Sequence, residues 1–240
     1  MRGCRGGSPL PAGRQGFPPG PHFRKNMRKR VFIIHGWSGN PKEGWFPWLK
    51  RELEKRGFAV TVPAMPTPNE PKIETWIPFL SNLVGKPDNQ TYFVGHSIGC
   101  QTIIRYLQTL PTGVKIGGAV FVAGWYNLRN LETEEEKRIA GPWVNKPRDD
   151  KKIREAVNHA VAIFSDNDPF VIPDNQRSWK ERVGAKIILE HNKGHFSGSD
   201  GAKKLPSALK AVLELSTPSR PGGKSCLCYN HRYNKGRENL

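Results

Sequence analysis

The chain has 240 residues, of which 36% are hydrophobic and 25 are glycine; together these reach the ~45–50% apolar share of globular chains and exclude wholesale disorder. No apolar run approaches the ~18 residues that a membrane-spanning helix needs. The formal charge of +17, from 38 Lys and Arg against 21 Asp and Glu, is concentrated at the two ends.

Met1–Arg30 holds eight basic residues and no acidic one, and Ser216–Leu240 holds five and one. The ends therefore carry +12 and leave only +5 for Val31–Leu215. A nucleic-acid partner is not expected, because the positive charge does not form a folded basic face. The expected organisation is a basic Gly/Pro-rich tail over 1–27, one domain over 28–215, and a second basic tail over 216–240, both tails read as disordered. Gly3–Pro21 lacks the apolar stretch of a secretory signal, so a cytoplasmic protein is expected. The stretch is Arg-rich and acid-free as transit peptides are, but its glycines and prolines oppose the amphipathic helix such peptides form. Translation starting at Met27, just before Arg28-Lys29-Arg30, would leave the preceding residues outside the native protein.

From Arg30 onward short apolar runs alternate with amphipathic stretches. Val31–Ile34 reads as a strand, and Glu43–Arg56 as a helix, with Trp45, Trp48, Leu49 and Leu53 at helical spacing. Phe58–Val62 then reads as strand, Ile73–Val84 as helix, Thr91–Val94 as strand and Ile98–Gln108 as helix. Ala119–Ala123 is the fourth strand, Ile153–His159 a helix and Val161–Phe164 the fifth strand. Asn175–Val183 follows as helix, Lys186–Leu189 as the sixth strand, and Lys203–Leu215 as a last helix. Continuous apolar strands joined by crossover helices predict a three-layer α/β fold of about six mostly parallel strands, helices on both faces, with the site in loops beyond the strand carboxyl ends.

The chemically able residues fall in those loops: His35-Gly36-Trp37 after the first strand, Gly95-His96-Ser97-Ile98-Gly99 after the third, Ser165–Pro169 after the fifth, and His191–Phe196 after the sixth. The second of these fits G-x-S-x-G and sits between a strand and a helix, as a nucleophile elbow requires. Alone, it would equally describe a turn with an N-capping serine. A serine hydroxyl needs a general base, and that base needs an acid. Ser97, Asp168 and His195 follow one another in the order serine, acid, histidine, 71 and then 27 residues apart, each just past a predicted strand. A turn aspartate before Pro169 and a surface histidine would explain each residue singly, but not their joint placement.

These motifs resemble the compact α/β-hydrolases of the retinoblastoma-binding-protein type and the bacterial YdeN-like proteins, over roughly Arg28–Leu215. The resemblance rests on His35-Gly36-Trp37, Gly95–Gly99, Ser165–Pro173 and Gly194-His195-Phe196. It implies that the acid is the aspartate before the proline, Asp168, with Asp166 stabilising the turn. It also implies that the base is His195, between glycine and phenylalanine, rather than His191. Members of that family are described as serine hydrolases acting on model esters, with little or no lid. Trp125–Asp150 departs from that pattern and is long enough for a modest flap.

The implied chemistry is acyl transfer: Ser97 attacks an acyl carbonyl, His195 takes its proton, and Asp168 orients the imidazole. The backbone N–H groups of Ile98 and Trp37 are the candidate oxyanion donors. Trp125, Trp143 and Trp37 could equally line a substrate pocket or pack in the core. His35 and His96 are expected to pack or hydrogen-bond locally. No cofactor or metal is expected: Cys226, Cys228 and His231 lack a fourth ligand, and Gly223-Lys224-Ser225 lacks the opening glycine and strand of a phosphate-binding loop. The expected function is a serine hydrolase, most simply a carboxylesterase acting on a small ester. Amide or peptide cleavage by the same triad, and a partner-binding scaffold, remain as alternatives.

Overall fold

The computed structural model describes residues 28–217, so Met27, Cys226, Cys228, His231 and Gly223–Ser225 lie outside the described residues. The apolar runs form six strands: β1 (Arg30–Ile34), β2 (Ala59–Thr61), β3 (Thr91–His96), β4 (Gly118–Val122), β5 (Ala160–Ser165) and β6 (Lys186–Glu190). All pair in parallel in the order β2-β1-β3-β4-β5-β6. Parallel pairing between neighbours in chain order demands crossovers, and the amphipathic stretches supply them. They are α1 (Phe46–Glu54), α2 (Ile73–Val84), α3 (Ile98–Leu107), α4 (Glu134–Asn145), α5 (Asp150–Ala156), α6 (Asp174–Val183) and α7 (Pro206–Ser216).

The strands that lie inside the sheet are buried on both sides: β3, β4 and β5 are buried at every position. One cover is made by α1 and α7, which touch each other, β2, β4 and β5. The other is a row in which α2, α3, α5 and α6 meet in succession. The edge strand β6 has only half-buried and exposed positions and leaves Leu189 open to solvent. No helix among the described residues is long and apolar enough to cross a membrane.

Because the strands run in one direction, all six carboxyl ends share one edge of the sheet. From β1 the chain steps outward to β2 and then returns to β3 on the opposite side of β1. The loops after β1 and β3 therefore diverge over a crevice, the place where open parallel sheets hold their ligands.

The stretch expected to be a flap contains an additional helix, α4, which the apolar pattern did not reveal. Its first turn is three successive glutamates, and Gly141-Pro142 interrupts its later half. The helix starts at a reciprocal capping box: Thr133 Oγ1 accepts from Glu136 N, and Glu136 Oε2 accepts from Thr133 N at 2.9 Å. That box was the available sequence signal.

Trp76 on α2 shows how the covering layer is held. It is fully buried, donates from Nε1 to Pro66 O at 2.7 Å, and meets Trp143 of α4 edge-on at 6.1 Å between ring centres. Trp76→Ala is expected to lower stability by about 3–5 kcal/mol, measurable as an earlier urea midpoint, because cavity and lost hydrogen bond add.

Candidate active site

The turn between β3 and α3 sets Ser97 in a conformation that side chains rarely adopt, with φ 53° and ψ −119°. Flanking glycines make room for it. A Cβ on Gly95 would lie 2.8 Å from Cys100 N, and one on Gly99 would press on Ile34 O and sit 2.8 Å from His35 O. Ser97 occupies the helix N-cap position yet makes no capping hydrogen bond with its side chain. Its hydroxyl faces His195 instead, with Oγ 2.9 Å from Nε2.

His195 Nδ1 lies 2.8 Å from Asp168 Oδ2. A carboxylate oxygen accepts, so Nδ1 carries the proton and Nε2 presents its lone pair to the Ser97 hydroxyl. Asp168 is 2% exposed, and its Oδ1 accepts from the backbone N–H groups of Phe170 and Val171 at 2.9 and 3.0 Å. These bonds aim the carboxylate and compensate its burial.

The loops after β5 and β6 are joined by four consecutive residues. Asp166 accepts from His191 Nδ1 at 2.6 Å and Asn192 N at 2.9 Å, and Ser165 Oγ from Lys193 N at 3.0 Å. Asn167 Oδ1 accepts from Gly194 N at 2.8 Å, and Asp168 takes the ring of His195. Both Asp–His pairs are thus formed. The His191 side chain is 75% exposed against 14% for His195, and only His195 reaches Ser97.

A cavity of about 480 Å³ opens beside Ser97, walled by Trp37, Trp125, Leu128, Ile139 and Phe170 among others. Trp125 points Nε1 at Ser97 Oγ from 3.4 Å, and Phe170 meets the His195 ring edge-on at 5.2 Å. Trp143 does not line the cavity. It is fully buried and donates from Nε1 to Pro71 O at 3.0 Å, so the expectation of a substrate contact is corrected: Ile139 and Ala140 of the same helix provide that wall. Neither Trp37 N nor Ile98 N donates to an acceptor among the described residues, while the Trp37 indole donates to Asn69 O at 2.9 Å.

Several supports carried no sequence signal. Arg129 donates to Asp168 O at 2.8 Å and to Pro169 O at 3.1 Å, fastening the acid's loop to the flap. Asn175 reads as a helix start, yet it is buried and bridges Tyr126 N, Asn127 O and Ile172 O at 2.6–3.0 Å. It thereby fixes the strip beside Trp125. Glu43 also lines the cavity, and burial raises its carboxyl above the ordinary range. Among the described residues no group of three or more His, Cys, Asp and Glu is placed to hold a metal ion.

Two further histidines are buried and neutral. His35 donates from Nδ1 to Gly36 O at 2.8 Å and accepts at Nε2 from Met65 N at 3.0 Å; burial lowers its pKa. Burial is also the main force holding His96 down at about 3, with the nearby His195 adding to it. On unfolding, each imidazole meets water and takes up a proton below its ordinary value of 6.5. Their contribution is complete above about pH 6.5 and is lost progressively as the pH falls towards 3, at up to ~1.4 kcal/mol per pH unit for His96. Urea midpoints at about pH 7.5 and pH 5 should show this acid loss, and His96→Gln, which cannot be protonated, should show a smaller one.

Comparison with known proteins shows the family and the fold. A family model described as serine hydrolase matches residues 31–214. YdeN of Bacillus subtilis is 32% identical over 181 residues, covering 75% of this chain and 92% of its own length. The serine hydrolase RBBP9 of Rattus norvegicus is 25% identical over 193 residues, covering 79% and 97%. The crystal structure of the ydeN gene product of B. subtilis covers 78% of this chain and 98% of its own, with TM-score 0.71 and 28% identity. Est1E from Butyrivibrio proteoclasticus, at TM-score 0.60 and 13% identity, covers 78% and 88% and shares the fold.

Proposed function

The chain belongs to the serine hydrolase family, and from that premise we propose that it cleaves small carboxylic esters through an acyl-enzyme on Ser97. The observation that carries this reading is the continuous chain from Ser97 Oγ to His195 Nε2 at 2.9 Å and from His195 Nδ1 to Asp168 Oδ2 at 2.8 Å, open to the cavity. His195 takes the proton of Ser97 as Oγ bonds to the acyl carbon, and returns it to the departing alcohol oxygen as the ester bond breaks. Water then attacks the acyl-enzyme, giving its proton to His195, and the acid leaves as Ser97 recovers the proton. Asp168 holds the Nδ1–H tautomer throughout and stabilises the imidazolium.

The negative oxygen of each tetrahedral intermediate needs donors fixed in advance. We assign these to the N–H groups of Trp37 and Ile98, whose hydrogens are not engaged within the described residues. The preference for an ester over an amide rests on the apolar walls and on the simplest leaving-group chemistry, since the triad itself serves both.

Labelling with a fluorophosphonate probe tests the nucleophile. The parent protein should label, and Ser97→Ala and His195→Ala should not; a folded parent that fails to label would sink the reading and favour a scaffold role. In turnover assays, esters should outpace the matching amides. Asp168→Asn should lose about 10⁴-fold in kcat, since it can hold the wrong tautomer. Gly36→Pro, which displaces the Trp37 N–H and whose Cβ would also lie 3.4 Å from Ser97 Cβ, should lose at least about 10²–10³-fold; full activity in a folded variant would overturn the oxyanion assignment.

A further inference from the structure

The peptide groups of His195 are held by side chains rather than by a strand. Its N–H donates to Asp200 Oδ2 at 3.0 Å, and its carbonyl accepts from Nε2 of His96, 99 residues earlier, at 2.7 Å. The next carbonyl, of Phe196, accepts from Trp45 Nε1 at 3.0 Å. Regular backbone pairing has ended well before this point: β6 stops at Glu190, and the residues on either side of His195 have positive φ, 55° at Gly194 and 57° at Phe196. Beyond the local turn from Phe196 N to Lys193 O, this loop holds its register through such side-chain anchors.

The His96 bond fixes that residue's chemistry as well. A carbonyl can only accept, so Nε2 bears the hydrogen and Nδ1 the lone pair. Nδ1 is buried without a hydrogen-bond partner among the described residues and faces Gly36, where a Cβ would approach it to 3.0 Å. Trp45 and Phe46, whose rings are 4.5 Å apart, both pack against the His96 ring at 6.1 Å between centres, and the His195 ring lies 5.2 Å away. The 5% exposure of His96 and its strongly lowered pKa keep it uncharged, so it remains a neutral donor while His195 cycles between charge states.

We propose that His96 is a positioning residue for the catalytic base, fixing the main chain of His195 through its Nε2–H. It occupies the variable position before the serine in G-x-S-x-G, so one turn presents the nucleophile at Ser97 and grips the base's backbone at His96. The distance between Ser97 Oγ and His195 Nε2 is thereby set within a closed loop of contacts. A misplacement of about 1 Å in such a pair is enough to cost about 10²-fold in rate. This inference rests on the role of His195 proposed above.

Two substitutions and one spectrum test it. His96→Phe keeps a planar ring and removes the donor, whereas His96→Gln retains an N–H near the position of Nε2. In the phenylalanine variant kcat on an ester should fall about tenfold to a hundredfold, with KM within about twofold and the fluorophosphonate labelling rate falling in step. The glutamine variant should return to within about threefold of the parent. Nitrogen-15 NMR of the parent should show His96 neutral and protonated on Nε2 from about pH 5 to pH 9. A phenylalanine variant with parental kcat, or a folded glutamine variant as slow as the phenylalanine one, would overturn the proposal. So would a spectrum placing the His96 hydrogen on Nδ1, a result that stands even where His96→Phe fails to fold. Unimpaired labelling in His195→Ala would instead remove the triad reading itself. Loss there with a fully active His96→Phe removes the positioning role alone.

Discussion

The site depends first on the backbone of Ser97. A non-glycine residue at φ 53° and ψ −119° carries strain of order 1–3 kcal/mol, and it persists only where the surroundings over-determine it. Here they do: Ser97 N donates to Val122 O at 2.9 Å, Cys100 N donates to Ser97 O at 2.9 Å, and the missing side chains of Gly95 and Gly99 admit α3 against the ends of β1 and β3. The hydroxyl is thus lifted from the helix it caps and offered to another loop. Gly36 extends the same constraint across the crevice, because a Cβ there would lie 3.0 Å from His96 Nδ1 and 3.4 Å from Ser97 Cβ.

A second layer of constraint comes from short polar side chains. Ser165, Asp166, Asn167 and Asp168 each accept from the loop that carries His195. His195 is therefore located by several partners, and Nε2 of its ring is left free to accept from the Ser97 hydroxyl. The flap adds to this through Leu128, bridged to Val171, and through Arg129 on the carbonyl of Asp168. The segment read from the sequence as long enough for a modest flap is, in the structure, a wall tied to the acid's loop from Asp168 to Val171. At its far end, the buried Arg105 and the half-buried Arg148 donate to Trp143 O, and Arg105 also to Lys146 O, closing the carboxyl end of α4. Cationic groups at that end of a helix also meet its dipole favourably.

Most of the sheet was legible because an interior parallel strand has no polar face to conceal it. Val31–Ile34, Ala119–Ala123 and Val161–Phe164 differ from the observed strands by one or two residues at the ends. The strand at Thr91 runs on to His96, beyond the expected end at Val94, since Gly95 pairs with Ile34 and Phe121 before the chain turns. The grouping of Ser97, Asp168 and His195 was legible too, through their order and their place after three strands. The helix α4 was not, because a charged first turn and a proline hide a helix whose apolar face is completed by packing on Trp76. Trp143 shows the same limit from the other side: its type suits a pocket and a core equally.

By itself, then, the sequence determined the alternation of strands and helices, the parallel sheet, the tight turn at Ser97 and which histidine and aspartate accompany it. The first three follow from local periodicity and glycine sterics; that His195 and Asp168, rather than His191 and Asp166, accompany Ser97 was what chain order together with the family resemblance implied. The tertiary structure alone decided that His96 meets the carbonyl of a residue 99 positions away, that Asn175 braces the strip beside Trp125, and that Trp125 rather than Trp143 faces the cavity. Each of those depends on hydrogen bonds and packing between segments distant in sequence, for which a residue's own type and its neighbours carry no register.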